Sequence, residues 1–443
     1  MQGDITKSPY WWAGGVNLDV PPMDKLPGFV DVAVVGGGFT GLSAALTAAE
    51  AGRSTLVLDA GNPGRAASTR NGGICSGNIR VPHARLTAMK GRDYADSVYS
   101  EAEEARDDLA AFITTHKIDC GYRLAGYFKG ALSPRDFEAM KPEVDRLNQL
   151  PGHHVRLVSR SEQHEDINTD RFFGGICWEG IAGYHPGKFF SGLLRVVQSA
   201  GVQIAPYTEV QMISAAEEKG GRRGHHVIHT NKGTVHAGHV IVATNAYTGR
   251  KPSFGHYLRR RLVPVQSCII VTETLGRKQV EALMPAMRMY GNTAKLSCYF
   301  RPVPDGERIL LGARSFDKEI PSDKSVRFLQ KMLAEMFPDL KDVGVEYSWL
   351  GNVAFNRSHL PSIFAHNHII YASGYAGSGT VWARWLGKKA AQKALLLGNR
   401  PSVFDGPAPK AVPLYDGAPW FMPAINASYA VQDWINSWRF HQK

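Results

Sequence analysis

The chain has 443 residues, enough for two or three structural units at roughly 100–200 residues each. Apolar residues make up 44% and charged residues 21%, which excludes a disordered or fibrous protein. Lys and Arg number 51 against 40 Asp and Glu, a net charge of +11, but they are scattered, and no basic helix or tail points to nucleic acid.

An anionic small-molecule ligand remains compatible with that charge. Five cysteines, at 75, 120, 177, 268 and 298, show no CxxC and no metal-ligand spacing. Free thiols in a reducing compartment are expected, hence a cytoplasmic protein with no metal site. Met1 to Tyr10 is polar, with no basic segment leading into an apolar one, so no signal peptide is expected. The apolar stretch Phe29 to Ala49 is interrupted by Asp31, three consecutive glycines and Thr40, which argues against a membrane span.

In chain order, residues 1–28 read as an irregular arm rich in Pro, Gly and Trp. Val30 to Val35 is a short β-branched run of the kind a buried parallel strand needs. Gly36 to Gly41 follows, then an Ala-rich helix from Leu42 to Ala51 closed by Gly52. Ser54 to Leu58 is a second strand ending at Asp59, which completes a β-α-β unit. Residues 92–116 predict a long helix, Tyr122 to Leu132 a strand, and a further helix runs to about Leu150. Gly187 to Gly201 is an amphipathic helix leading into the strand Val202 to Ile204. His225 to Thr230 and Thr234 to Val242 suggest a β-meander. Arg261 to Thr272 and Tyr299 to Gly312 are β-patterned, and Ile369 to Tyr371 is a late strand. A helix is predicted from about Val381 to Leu397, and the tail after Pro401 is expected to lack regular structure.

Gly36-x-Gly38-x-x-Gly41 carries the first chemistry. Gly36 permits the tight turn, Gly38 lets the backbone approach a pyrophosphate, and Gly41 lets the helix sit close to the strand. Phe39 and Thr40 open a helix whose N–H groups face the phosphates. Asp59, followed by Ala60, stands where a carboxylate takes the ribose hydroxyls. Strand, glycines, helix, second strand and terminal acid together predict dinucleotide binding. Arg65-Ala66-Ala67-Ser68-Thr69-Arg70-Asn71-Gly72-Gly73 follows directly, with small residues and two arginines suited to a loop laid along a diphosphate and a flavin edge.

That second string resembles the second flavin fingerprint of the D-amino-acid oxidase and glycine oxidase superfamily, and is most similar to its γ-glutamylputrescine oxidase-like amine oxidoreductases. The likeness continues through Val240 to Tyr247, Tyr299 to Gly312, Trp349 to Pro361 and Gly374 to Thr380. It implies an α/β (α+β) protein, with a Rossmann-like FAD-binding domain assembled from discontinuous segments and a smaller mixed β-sheet substrate domain. The expected division is an arm at 1–28, an FAD domain at 29–90, 151–250 and 346–400, a substrate domain at 91–150 and 251–345, and a tail at 401–443. Besides the two glycine-rich strings, the resemblance implies FAD contacts from Val210, Ala243, Thr244 and Asn245, and from Gly374, Gly377, Ser378, Gly379 and Thr380.

The implied reaction is oxidation of a primary or secondary amine, with hydride passing to flavin N5 and the imine hydrolysing to an aldehyde plus amine or ammonia. Relatives acting on α-amino acids keep an arginine in a Gly-x-Arg frame to clamp the carboxylate. Here Gly351 to Pro361 keeps the frame, but Val353 stands in the arginine position. An amine without an α-carboxylate is therefore expected, and an anionic group farther away is compatible with the basic charge. The alternative is an amino- or imino-acid oxidase or dehydrogenase, with Arg301, Arg314 or Arg357 as the clamp. Tyr375, Tyr299 and Arg301 are the candidate catalytic residues, ahead of His83, Tyr127 and His185. Sarcosine oxidases tether FAD through a cysteine two places before a comparable tyrosine. Ser297 holds that place and Cys298 is one off, so non-covalent FAD is expected. The oxygen-activating lysine of those enzymes aligns with Leu310, which leaves O2 or a quinone as acceptor. A basic protein holding FAD only structurally is the non-enzymatic rival.

Overall fold

The computed structural model describes residues 4–215, 226–249, 253–315, 317 and 320–441. The β-branched run forms the strand Phe29–Val35 at the centre of an eight-stranded sheet. It pairs in parallel with Gly233–Val242 on one side and Thr55–Leu58 on the other. Thr55–Leu58 pairs in parallel with Gln203–Ala205, and Gly233–Val242 with Ile369–Ser373. Strands Val210–Ala215 and His226–Thr230 add an antiparallel edge. Ser362–His366 pairs with Ile369–Ser373. Central strands buried on both faces read as continuous apolar runs, which is why the sequence pattern located them.

The helix Phe39–Glu50 packs on Gly379–Ala394 and Pro186–Ser199. The approach is close: a Cβ on Gly387 would lie 2.2 Å from the Thr40 carbonyl oxygen. A second eight-stranded sheet runs Val345–Phe355, Val263–Thr272, Ile309–Arg314, Tyr299–Pro302, Met289–Asn292, Tyr127–Gly130, Gly175–Trp178, Val155–Val158. Helix Asp323–Met336 covers its outer face with Val326, Leu329, Leu333 and Met336. This α/β arrangement, with a Rossmann-like layer drawn from separated segments, is the expected class.

The expected division of the chain is crossed in several places. Val155–Val158 and Gly175–Trp178 lie within 151–250, and Val345–Phe355 within 346–400 but for its first residue, yet all three pair inside the second sheet. The helix Arg92–Thr115 lies within 91–150. Its apolar stripe of Val98, Ala102, Ala105, Leu109 and Phe112 nevertheless shares a core with Phe39–Glu50 and Gly379–Ala394. Strand partners are chosen over long sequence distances, which a periodicity does not record.

The tail is also ordered. Met422–His441 is a helix, although its sequence is broken by Asn and Ser, which are weak helix formers. Tertiary docking compensates: the Asp433 carboxylate accepts the backbone N–H groups of Lys295 and Leu296 at 2.8 and 3.0 Å. Among the described residues, no helix is long and apolar enough to cross a membrane, and no group of three or more His, Cys, Asp or Glu could hold a metal ion.

Candidate active site

A cavity of about 1510 Å3 opens at the carboxyl ends of Phe29–Val35, Thr55–Leu58 and Gly233–Val242 and extends along the second sheet. This is where open α/β sheets bind ligands. Gly36 has φ 104°, and a Cβ on Gly41 would lie 1.7 Å from the Gly36 carbonyl oxygen. No side chain fits between turn and helix at Gly41. At Gly38 a Cβ would meet only the Ser68 hydroxyl, at 2.8 Å. That hydroxyl accepts from the Phe39 N–H at 2.9 Å, so the second glycine-rich string lies over the start of the helix.

Asp59 binds the turn from below. Its carboxylate accepts from the N–H of Gly37 at 2.6 Å and of Gly61 at 2.9 Å. Burial raises its pKa, and the two N–H bonds oppose that rise. The 65–73 loop is braced internally. Asn71 Nδ2 donates to the carbonyls of Ala67 and Ser68, while its Oδ1 accepts from the Gly73 N–H. Arg70 donates to the carbonyls of Arg65 and Leu350, the latter on the second sheet. Arg65 pairs with Asp19 at 2.7 Å.

The third wall is the glycine-rich segment before Gly379–Ala394. The Tyr375 hydroxyl and Thr40 Oγ1 are 2.8 Å apart. Ser378 Oγ donates to the Asn78 carbonyl at 2.6 Å, and Thr380 Oγ1 to that of Ile74. Gly374 N–H donates to Asn245 Oδ1 at 3.0 Å, joining this segment to the end of Gly233–Val242. The result is a long channel with a backbone cradle at one end, a buried carboxylate beside it, and a flat sheet face at the other. The donor set and the glycine cradle fit a flavin dinucleotide, and the cavity has the volume for one with a small molecule beside it.

The profile of the DAO family, described as FAD dependent oxidoreductase, matches residues 31–393. The chain belongs to the DAO family of FAD-dependent oxidoreductases. It is 28% identical over 404 residues to a probable oxidoreductase, OrdL, of Haemophilus influenzae, covering 90% of each chain. It is 28% identical over 366 residues to the γ-glutamylputrescine oxidoreductase of Escherichia coli, covering 82% of this chain and 83% of that one. The crystal structure of glycine oxidase from Geobacillus kaustophilus superposes with a TM-score of 0.70 at 20% identity, covering 88% and 99%. That last likeness is one of fold.

Most residues expected to hold FAD in this DAO-family chain line the cavity. They are Gly36, Gly38, Phe39, Thr40, Asp59, Ala60, Arg65, Ser68, Arg70, Asn71, Gly72, Val210, Ala243, Thr244, Asn245, Gly377, Ser378, Gly379 and Thr380. Gly41, Gly73 and Gly374 lie behind that wall and shape it. Tyr375 and Tyr299 line the cavity, and burial raises both phenol pKa values. Tyr299 donates to or accepts from Ser267 Oγ at 3.0 Å, and its ring leaves no room for a Cβ at Gly72.

Arg301 is different. It is buried but does not line the cavity. Its guanidinium donates to the carbonyls of Gly73 at 2.7 Å, Tyr184 at 3.1 Å and Pro302 at 2.9 Å. Burial pushes its pKa down to about 10. It ties the end of the fingerprint loop to the second sheet, and its guanidinium, spent on three carbonyls, does not face the cavity to clamp a substrate. Among the weaker candidates, Tyr127 lines the cavity, His83 pairs with Asp96 at 2.7 Å, and His185 Nδ1 caps the helix Pro186–Ser199 through the Lys188 N–H. All five cysteines are buried and free. Cys298 reaches the cavity wall, but Asn292 Nδ2 contacts its sulfur at 3.3 Å and burial pushes its pKa up to about 12.

Sequence reasoning missed Arg80, Lys129, His359 and Tyr429, all of which line the cavity. Burial, then Arg80, lowers the Lys129 pKa. No motif spacing marks any of these four residues. Arg314 was legible only as a spare arginine, and it too lines the cavity.

Proposed function

We propose that this chain oxidises a primary or secondary amine whose reacting carbon carries no carboxylate, using non-covalent FAD and releasing an imine that water hydrolyses. The observation that carries this reading is Val353. It lines the cavity on the Val345–Phe355 strand, in the frame where amino-acid enzymes of this type carry an arginine. An apolar side chain gives an α-carboxylate no partner, and an unpaired buried carboxylate is costly. The cysteine nearest the flavin frame, Cys298, has its thiolate suppressed by burial, which supports FAD held without a covalent bond. The names of relatives, among them a γ-glutamylputrescine oxidoreductase and glycine oxidases, support a substrate drawn from amines or amino acids.

The chemistry that bound FAD supplies is acceptance of a hydride equivalent from the carbon beside the nitrogen. The chain supplies position and dryness. Tyr375, held by Thr40, and Tyr299, held by Ser267, present fixed phenols to the cavity. Their raised pKa values keep them neutral, so they act as hydrogen-bond partners to an uncharged amine. The aromatic and aliphatic walls at Val353 and Phe355 exclude water around the reacting carbon.

The electron acceptor is O2, giving H2O2, in this reading. The second reading is an amino- or imino-acid oxidase or dehydrogenase that passes electrons to O2 or a quinone. That reading is favoured by one observation, the presence of Arg314 in the same cavity. The test is anaerobic titration of the yellow protein with amines and their α-carboxylated analogues. Faster bleaching by the plain amine, followed by reoxidation in air with one H2O2 per turnover, is expected. Consistent preference for the α-carboxylated member establishes the second reading, and reduced flavin that survives in air rules out O2.

A further inference from the structure

Arg80 and Arg314 reach the cavity from opposite layers and flank one ring. Each guanidinium carbon lies 5.7 Å from the centre of Phe355. Arg80 follows the fingerprint loop, and its Nε donates to the Ala376 carbonyl at 3.1 Å. Ala376 has φ 50°, and a Cβ on the adjacent Gly377 would lie 3.3 Å from Arg80 Nη2. The guanidinium is thus held at the glycine-rich wall, and among the described residues no hydrogen bond takes up its terminal nitrogens. Arg314 has a 3.5 Å contact with Asn426 Oδ1 and lies 5.5 Å from the Tyr429 ring, both on the C-terminal helix.

Among the described residues, neither arginine is ion-paired. Of the carboxylates that line the same cavity, Asp59 is committed to Gly37 and Gly61, Glu143 to Arg146 and Asp136 to Thr293, while Glu209 lies beside Val210 and, among the described residues, forms no ion pair with either arginine. Protein packs closely enough around each guanidinium to lower its pKa, yet both keep surface facing the cavity. Arg80 lowers the Arg314 pKa further, and burial, then both arginines, lower that of His359, which also lines the cavity. Two partly desolvated like charges close enough for one to lower the pKa of the other are unfavourable without an anion nearby.

Strand register adds a second argument. Arg314 stands opposite Ser267, and Ser267 stands opposite Gly351. Directly opposed residues share a face, and so does Val353, two residues beyond Gly351. The arginine missing at Val353 therefore has a counterpart two strands away on the same face of the sheet.

We propose that Arg80 and Arg314 form a carboxylate-binding site, taking a carboxylate of the substrate. It rests on the amine-oxidising reading only in assigning the anion to the substrate, since anion binding is measurable without turnover. The carboxylate belongs either to the α-carbon or to the far end of the amine, and the substrate arms below separate these.

The experiment titrates the FAD-loaded protein calorimetrically with glutarate and acetate, and with glutaramide and acetamide as uncharged counterparts. Wild type is expected to bind the acids and not the amides. Arg80→Gln and Arg314→Gln should each weaken acid binding about tenfold or more, and Arg314→Lys less, because lysine keeps the charge but loses the two-pronged geometry. Steady-state rates on pentylamine, 6-aminohexanoate and 2-aminohexanoate then place the group. A preference for 6-aminohexanoate over pentylamine marks a remote carboxylate, and a preference for 2-aminohexanoate marks an α-carboxylate. Either preference should fall about tenfold in kcat/KM in the glutamine variants. Equal binding of acids and amides overturns the proposal. So does unchanged acid binding in glutamine variants that retain FAD. Loss of FAD from all three variants also overturns it, by assigning the pair to the cofactor. If no amine bleaches the flavin while glutarate still binds through these arginines, the proposed function fails and the anion site stands.

Discussion

The indole Nε1 of Trp11 donates a hydrogen bond to the carbonyl oxygen of Asn71 at 2.7 Å. The arm that precedes the first strand is thereby bonded to the loop that lines the cavity. Trp11 is fully buried, edge-on to His185 at 4.9 Å and to Trp349 at 6.3 Å. Its neighbour Trp12 donates to Thr69 Oγ1 at 2.8 Å, and the guanidiniums of Arg65 and Arg70 each lie 4.7 Å from its ring. The arm acts as a brace on the 65–73 loop.

Trp11→Phe keeps a ring but strands the Asn71 carbonyl. An unsatisfied buried acceptor costs about 1–3 kcal/mol, and Trp11→Ala raises the loss to about 3–5 kcal/mol by leaving a cavity. Both should also weaken FAD retention, since the loop is held from the arm side. Denaturant unfolding with and without added FAD measures the two effects. An unchanged midpoint and an unchanged FAD dissociation constant would show that the arm is dispensable.

Gly41→Ala should be worse for the fold than Gly38→Ala. The Gly41 methyl would press on backbone, the Gly36 carbonyl, whereas the Gly38 methyl meets a serine hydroxyl that can rotate away. Overpacking against backbone costs about 1–3 kcal/mol. Gly38→Val, in contrast, should fold and lose its yellow colour, because the side chain fills the path of a pyrophosphate. Melting temperature and flavin absorbance of the three purified proteins separate the roles. Full flavin occupancy in Gly38→Val is the outcome that refutes the cradle.

Asp59→Ala should weaken FAD binding by about 1.5–3 kcal/mol, the range for hydrogen bonds to a charged group. The loss has two sources, the ribose contact and the freed N–H groups of Gly37 and Gly61. Asp59→Asn should fall between, since its amide oxygen can serve one N–H but its NH2 opposes the other. Fluorescence titration of apoprotein with FAD gives the ordering Asp59, Asn, Ala. An affinity in Asp59→Ala equal to wild type would remove the assignment.

Acid should destabilise the protein through His185. Burial is the largest cause, and it pushes the His185 pKa down to about 4 from an ordinary 6.5. The unfolded chain therefore binds a proton that the folded chain refuses between those values. Stability is fully present above about pH 6.5 and falls as pH drops towards 4, by about 3 kcal/mol at most. His185→Asn supplies another N-cap acceptor without a titratable ring. Urea unfolding at pH 7.5 and pH 5 should show a smaller difference in that variant than in wild type. An identical pH dependence in both would mean that another group carries it.

What the sequence determined by itself was the local part of the fold and of the cofactor site. The β-α-β unit from Phe29 to Asp59 is contiguous, and its glycines, helix and terminal acid carry their meaning in their spacing. The 65–73 string and the Gly374 to Thr380 segment were legible for the same reason, and all three segments meet at one cavity. What tertiary structure alone decided is where distant residues stand. Arg301 and Arg314 lie on adjacent strands and looked equivalent as possible clamps. The fold spends one on three carbonyls and leaves the other facing the cavity. Val155–Val158 and Gly175–Trp178 joined the second sheet, and Met422–His441 became a helix against its wall. The physical reason is common to these cases. Periodicity records that a face is buried, but the partner that buries it, or that neutralises its charge, comes from elsewhere in the chain.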